Sequence, residues 1–266
     1  MNNNLVLVCI LTTVIHFISI ISLSSKIVGT RTRRVASSSS IFNIIALTAQ
    51  FSGSIQAPLL TKSIENTIIS GLEPNEFLFR SIIFCATLGC ALGAFAIPTT
   101  HRFMAKGVQA LYENNSIIGV LMKSFQKKTF YHFKESVSLP QKENFTRLKQ
   151  YKDLYLKLIF MNILVYSFIT VSVLSCLYAG YLNPNLRTTS LSLSGIAVGL
   201  GSVGMLLFIE PYHGTLTDKV IDGTVKEAYF RRHLTYIIIA RILGTILGQL
   251  LYIPLAWIIV TIAERL

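Results

Sequence analysis

Six stretches free of Asp, Glu, Lys and Arg, at about 5–23, 36–60, 81–98, 158–181, 188–209 and 242–263, decide what this chain can fold into. The hydrocarbon core of a bilayer is about 30 Å thick and takes about 20 helical residues to cross. Inside it every backbone N–H and C=O must be satisfied within the segment, so stretches of this length have to be helices. The pattern predicts an all-α polytopic membrane protein with six transmembrane helices in a single transmembrane domain over 1–266. The largest remainder, 99–157, is basic rather than core-like.

A net charge of +12 would suggest nucleic acid in a soluble protein, but here its distribution reads as topology and no nucleic-acid partner is expected. The first loop carries Lys26, Arg31, Arg33 and Arg34 without an acid, and the fifth adds Lys219, Lys226, Arg231 and Arg232. The long third loop is also rich in Lys and Arg, whereas the alternate loops hold only Lys62, Arg80 and Arg187 beside Glu65, Glu73 and Glu76. The positive-inside rule therefore puts loops one, three and five in the cytoplasm and both termini outside. The start, Met1 to Asn4, lacks the basic region of a signal peptide, so the first span is expected to be a retained helix.

Several features bear on packing. Cys9, Cys85, Cys90 and Cys176 fall inside spans without paired C-x-x-C spacing, which suits reduced thiols acting as small apolar residues. Gly89 and Gly93, Gly195 and Gly199, and Gly244 and Gly248 lie four apart in the third, fifth and sixth spans. Such stripes let helix backbones approach closely, within one chain or across a homodimer. The second and fifth spans both begin with an arginine, Arg34 or Arg187, and a serine-rich run. A three-plus-three inverted repeat would give this likeness, as would chance. In the long loop Ile117, Ile118, Leu121 and Phe125 share one helical side among lysines. That is the pattern of an amphipathic helix on anionic membrane lipids or of a solvated helix pair.

The second span is polar for a lipid-facing helix. Asn43, Gln50, Ser54 and Ala57 form one stripe, with Gln56 and Pro58 near the outer end. An unpartnered amide in hydrocarbon is costly, so the stripe is expected to face the bundle interior or a wet cavity. Just before it Lys26, Gly29, Arg31, Arg33 and Arg34 make a cationic turn, with Arg31 and Arg34 on one face if the segment is helical. Paired guanidinium groups suit a phosphorylated lipid; a topology anchor would look the same. Arg241 is the deepest cytoplasmic-side charge, and His16 lies mid-span, as a proton relay or a hydrogen-bonded core residue. Glu210 and Asp218 close the fifth span around Pro211, which is expected to end or kink it, and would pair with Arg31, Arg34 or Arg241 in a gate or stay solvated. Neither a phosphate-binding loop nor a metalloprotease or serine-hydrolase motif is present, so no cofactor is expected.

Together, Lys26, Gly29, Arg31, Thr32 and Arg34, then Phe42, Asn43 and the run Gln56, Ala57, Pro58 and Leu59, resemble the Amj family of bacterial lipid II flippases, the alternative to the MurJ flippases. Glu210, Pro211, Tyr212, Thr217 and Asp218 are similar to the family's acidic-Pro and Thr-Asp pattern. Two departures stand out: Gln50 where an arginine is frequent, and Glu210 where aspartate is common. The resemblance implies a transporter of the bacterial cell membrane that moves lipid II, the undecaprenyl-pyrophosphate-linked disaccharide-pentapeptide, from inner to outer leaflet. In that reading Lys26, Arg31, Arg34 and Arg241 capture the diphosphate, Asn43, Gln50 and Gln56 line its path, and Glu210 and Asp218 gate it. Two other classes stay open: a membrane enzyme on a polyprenyl phosphate using Glu210, His213 and Asp218, and a scaffold for cell-wall enzymes.

Overall fold

The computed structural model describes residues 3–114, 116, 119, 133–138 and 153–266, and among these it holds helices and no strand. Helices α1 (Asn3–Ile21) and α2 (Ser24–Thr32) are separated only by a turn at Ser22 and Leu23. Then come α3 (Val35–Ile69) and α4 (Glu76–Asn114). The second half begins with α5 (Leu156–Leu182) and a short 3-10 turn, Pro184–Leu186. It continues through α6 (Arg187–Ser192), α7 (Ser194–Gly204), a π-helical turn (Met205–Ile209), α8 (Glu210–Ile221) and α9 (Glu227–Ala263).

Among the described residues five rods are long and apolar enough to cross a membrane: Leu5–Thr32, Glu76–Glu113, Leu156–Leu182, Pro184–Ile221 and Glu227–Ala263. The sixth expected span, 36–60, lies within α3. At about 1.5 Å per residue the 35 residues of α3 are long enough, but its serines and amides keep it out of that set. The rods also outrun the expected spans. Helix α4 continues through Pro98 to Asn114, so the start of the 99–157 segment is helix rather than loop. Helix α9 begins at Glu227, well before residue 242. Pro211 does not end its rod: it sits in the first turn of α8, directly after the π-helical turn.

Residues 133–138 lie along α4. Lys106 pairs with Glu135 at 2.8 Å, and the Phe103 and Phe133 rings meet at 5.6 Å. Apart from Gly119, the expected amphipathic stretch 117–128 lies outside the described residues.

Helix α1 packs between α3 and α4, α4 against α9, α9 against α5, and α5 against α7. The order of neighbours is thus α3, α1, α4, α9, α5, α7. Helices in lipid associate through close packing rather than a hydrophobic drive, and two glycine pairs supply it. A Cβ on Gly93 would fall 2.7 Å from Ile20 Cβ, and one on Gly244 2.8 Å from the Ile163 carbonyl oxygen. Gly195 and Gly199 of α7 have no neighbour within 4 Å, so this third stripe makes no internal contact.

One end of the bundle is filled by Phe79, Tyr178 and Tyr252 with Leu60, Ile64 and Leu177. The middle holds Ile20, Cys90, Tyr166 and Ile237, and the other end Ile27, Leu216, Phe230 and Leu234. All four cysteines are free thiols. His16 is hydrogen-bonded to the Tyr166 hydroxyl at 3.1 Å.

Candidate functional site

Helix α2 is the element that builds the site. It ends at Arg33, whose φ of 54° lies in the left-handed region, uncommon for a residue other than glycine. The chain then reverses into α3. Gly29 is therefore not the turn residue expected from the sequence. It is buried inside α2, where a Cβ would touch Ser38 Cβ at 3.5 Å, and Ser38 Oγ donates to the Ser25 carbonyl.

A cavity of about 330 Å³ opens beside this hairpin. Ser25, Lys26, Ser38, Ser39, Phe42 and Asn43 line it from α2 and α3. Glu210, Gly214, Thr217 and Asp218 line it from α8, at spacings of four, three and one that fall on one helical face. Lys26 Nζ donates to Glu210 Oε2 at 2.7 Å, with the side chains 18% and 33% exposed. One cation and two carboxylates, Glu210 and Asp218, leave the walls formally at −1.

Behind Glu210 the site turns dry. His213 and His233 are both fully buried with ring centroids 5.4 Å apart, and no ring nitrogen has a hydrogen-bond partner among the described residues. Glu210 Oε1 lies 3.8 Å from His213 Nδ1. His213 does not line the cavity.

The other sequence-chosen residues are scattered. Arg31 Nε pairs with Glu227 of α9 at 2.6 Å. Arg34 donates to the Gln109 side-chain oxygen and lies 3.6 Å over the Tyr112 ring, both on α4. The two arginines do not share a face, because the helix stops between them. Arg241 is 6% exposed, donates through Nη1 to Ser19 O at 2.9 Å and Oγ at 3.1 Å, and lies over Tyr166. It sits inside the bundle rather than at its mouth.

The polar stripe of α3 also departs from expectation. Asn43, Gln50, Ser54 and Ala57 are exposed rather than turned into the bundle. Helix α3 buries Ser38, Ser52, Leu60 and Ile64 instead, and Gln56 Nε2 donates to Thr12 Oγ1 of α1 at 2.8 Å. Of the stripe, only Asn43 reaches the cavity. Ser38 and Ser39 line the cavity without having been singled out in the sequence, and Thr217, noted only in the Thr-Asp pattern, lines it too. Helical spacing back from Asn43 and on from Glu210 was the available signal.

A bundle of membrane-length helices with a charged cavity at one end defines a multi-pass membrane protein. The family model described as Amj, Alternate to MurJ, matches residues 11–263, and the chain belongs to this family. It is 28% identical over 251 residues to the curated Lipid II flippase Amj of Bacillus subtilis (strain 168), covering 92% of this chain and 91% of that protein. No solved structure matches the chain. Family and helices together make it a multi-pass protein of the cell membrane.

Proposed function

We propose that this chain is a lipid II flippase, a transporter rather than an enzyme. The carrying observation is a Lys26-bearing cavity at the end of a helical bundle, in a chain that aligns nearly end to end with a lipid II flippase. A large anionic headgroup cannot cross hydrocarbon unaided. A cavity of about 330 Å³ suits the diphosphate and part of the first sugar, not a whole disaccharide-pentapeptide. Lys26 is the capture residue, Asn43 extends the wall, and the exposed amide of Gln50 continues a polar track along α3. Glu210 and Asp218 face the same space as gating acids. Arg31 and Arg34 must leave Glu227, Gln109 and Tyr112 to reach a phosphate, and Arg241 positions α1 through Ser19. The enzyme reading is weaker because His213 is buried away from the cavity.

In the same proposal α3 is the sixth span and both termini are extracytoplasmic. The cavity end, which carries Lys26, Arg31, Arg33 and Arg34, is then cytoplasmic. The basic segment 99–157 is a cytoplasmic element against anionic lipids, and the exposed Gly195 and Gly199 face is where a second copy would pack.

A three-plus-three inverted repeat joins these features. The packing order α3, α1, α4 is mirrored by α7, α5, α9. Gly89 and Gly93 join the third span to the first as Gly244 and Gly248 join the sixth to the fourth. Arg34 and Arg187, and Pro58 and Pro211, are each 153 residues apart (34 and 187, 58 and 211). Lipid II in the outer leaflet of cells depleted of their other flippases is the test. Expression of this chain restores both it and growth; a membrane-inserted chain that restores neither does not act on lipid II.

A further inference from the structure

Glu65 of α3 and Arg187 of α6 meet at 3.9 Å at the end of the bundle opposite the cavity. Both rods contribute to one apolar cluster there: Leu60 and Ile64 are buried in it with Leu177, and the half-buried Leu191 and Leu193 pack against it. At the cavity end these two rods stand apart, with Val35 on one wall and Asp218 on the other. The two rods meet through this ion pair at one end and face each other across the cavity at the other.

Counting 153 residues on from α3 pairs Arg34 with Arg187, Leu60 with His213, Ile64 with Thr217 and Glu65 with Asp218. Burial follows the pairing at this end of α3, where Leu60, Ile64, His213 and Thr217 are all buried, but not earlier, where buried Ser38 and Ser52 match half-buried Leu191 and Met205. The ends of the helices follow it too, since Ile68, beside the last residue of α3, matches Ile221, the last of α8. The closed ion pair Glu65–Arg187 therefore has a counterpart, Asp218 with Arg34, at the open end. Its members are parted. Arg34 is held by Gln109 and Tyr112 on α4, while Asp218 lines the cavity without an ion-pair partner among the described residues.

In an inverted repeat the two halves exchange conformations to move the opening from one side to the other. We infer that Glu65–Arg187 and Arg34–Asp218 are the two gates of one transport cycle, each formed only when the other is broken. This rests on the repeat and on the transport reading above. It adds Glu65 and Arg187 to the functional residues and gives Arg34 a partner other than the lipid. Leaving Gln109 and the Tyr112 face, Arg34 crosses to Asp218 as the far end opens.

The test uses the full chain with its four native cysteines replaced by alanine and a reporter, Ser39→Cys, on the cavity wall. The reporter is labelled in membrane vesicles by an impermeant maleimide presented to the cavity side. Arg187→Ala unlatches the far end, so the cavity closes more often and labelling slows, by at most about two- to fivefold, the scale of one exposed ion pair. The exchanged pair Glu65→Arg with Arg187→Glu restores the parental rate, which also shows that the fold survives. With Arg34→Ala already present, adding Arg187→Ala changes nothing, because the closed state has lost its latch. An unchanged rate in Arg187→Ala, a swap that stays slow, or an equal slowing without Arg34 overturns the exchange. Labelling needs no lipid II, so a chain that moved another lipid would pass here and fail complementation.

Discussion

Lys26 and Glu210 are joined at 2.7 Å in a half-buried setting, between the regimes in which ion pairs are well understood. Exposed pairs are worth about 0–1 kcal/mol, whereas removing one partner of a fully buried pair costs about 3–5 kcal/mol. Lys26→Met is expected to cost about 1–3 kcal/mol by stranding the Glu210 carboxylate, read as a lower thermal midpoint in detergent. Adding Glu210→Met removes the stranded charge and recovers most of that midpoint. Complementation stays lost in both, because neither has a cation for the diphosphate. If the double variant complements, Lys26 stabilises the fold and does not capture. Arg31→Ala separates the arginines: its pair with Glu227 is 37% and 41% exposed, so growth rescue is expected to remain near the parent. Lys26, Asn43, Glu210 and Asp218 were legible as residues of interest in the sequence. Their partners were not, because Lys26 and Glu210 stand 184 positions apart. The shared face of Arg31 and Arg34 failed for a local reason, the left-handed residue at Arg33.

At the scale of helices, glycine decides which rods touch. A Cβ on Gly244 meets the Ile163 carbonyl at 2.8 Å, and a backbone atom cannot swing aside as a side chain can. Gly93→Val and Gly244→Val are each expected to destabilise by about 1–3 kcal/mol through overpacking. Gly199 has open space around it, so Gly199→Val changes the monomer by no more than about 0.5 kcal/mol. Thermal unfolding of the three variants side by side makes the comparison, and equal losses would mean that the α7 stripe is packed after all. The apolar cores of the rods were readable because charge is excluded from hydrocarbon. Their full lengths were not: charges such as Arg102 and Lys106 of α4 and Arg231, Arg232 and Arg241 of α9 interrupt the sequence, and a charge-free length stops there although the helix goes on. Helix α3 shows the converse. Its polarity was seen, but which face it turns outward is set by Thr12 and Ile15 of α1, which spacing within α3 alone cannot reveal.

Across the whole molecule, the alternation of basic and poor loops and the serine-rich starts of two spans already hinted at halves of opposite sense. The neighbour order and the equal spacing of Arg34, Pro58 and Glu65 from Arg187, Pro211 and Asp218 support the proposed repeat, and the transport it would serve needs an energy source. In the proposed transport reading the membrane potential is the drive to test, for an anion that moves outward. With the cytoplasm negative, each charge gains about 2.3 kcal/mol per 100 mV on leaving. A diphosphate with two charges gains about 4.6 kcal/mol, more than three powers of ten in the equilibrium ratio between leaflets. Proteoliposomes holding this chain and lipid II, given a potassium diffusion potential, are expected to load the positive leaflet and to reverse when the potential is reversed. Collapsing the potential with an ionophore returns the leaflets to parity. A ratio indifferent to sign would mean that the headgroup crosses with its charge compensated by a cation, and Glu210 and Asp218, the cavity's two carboxylates, would be the residues to neutralise next.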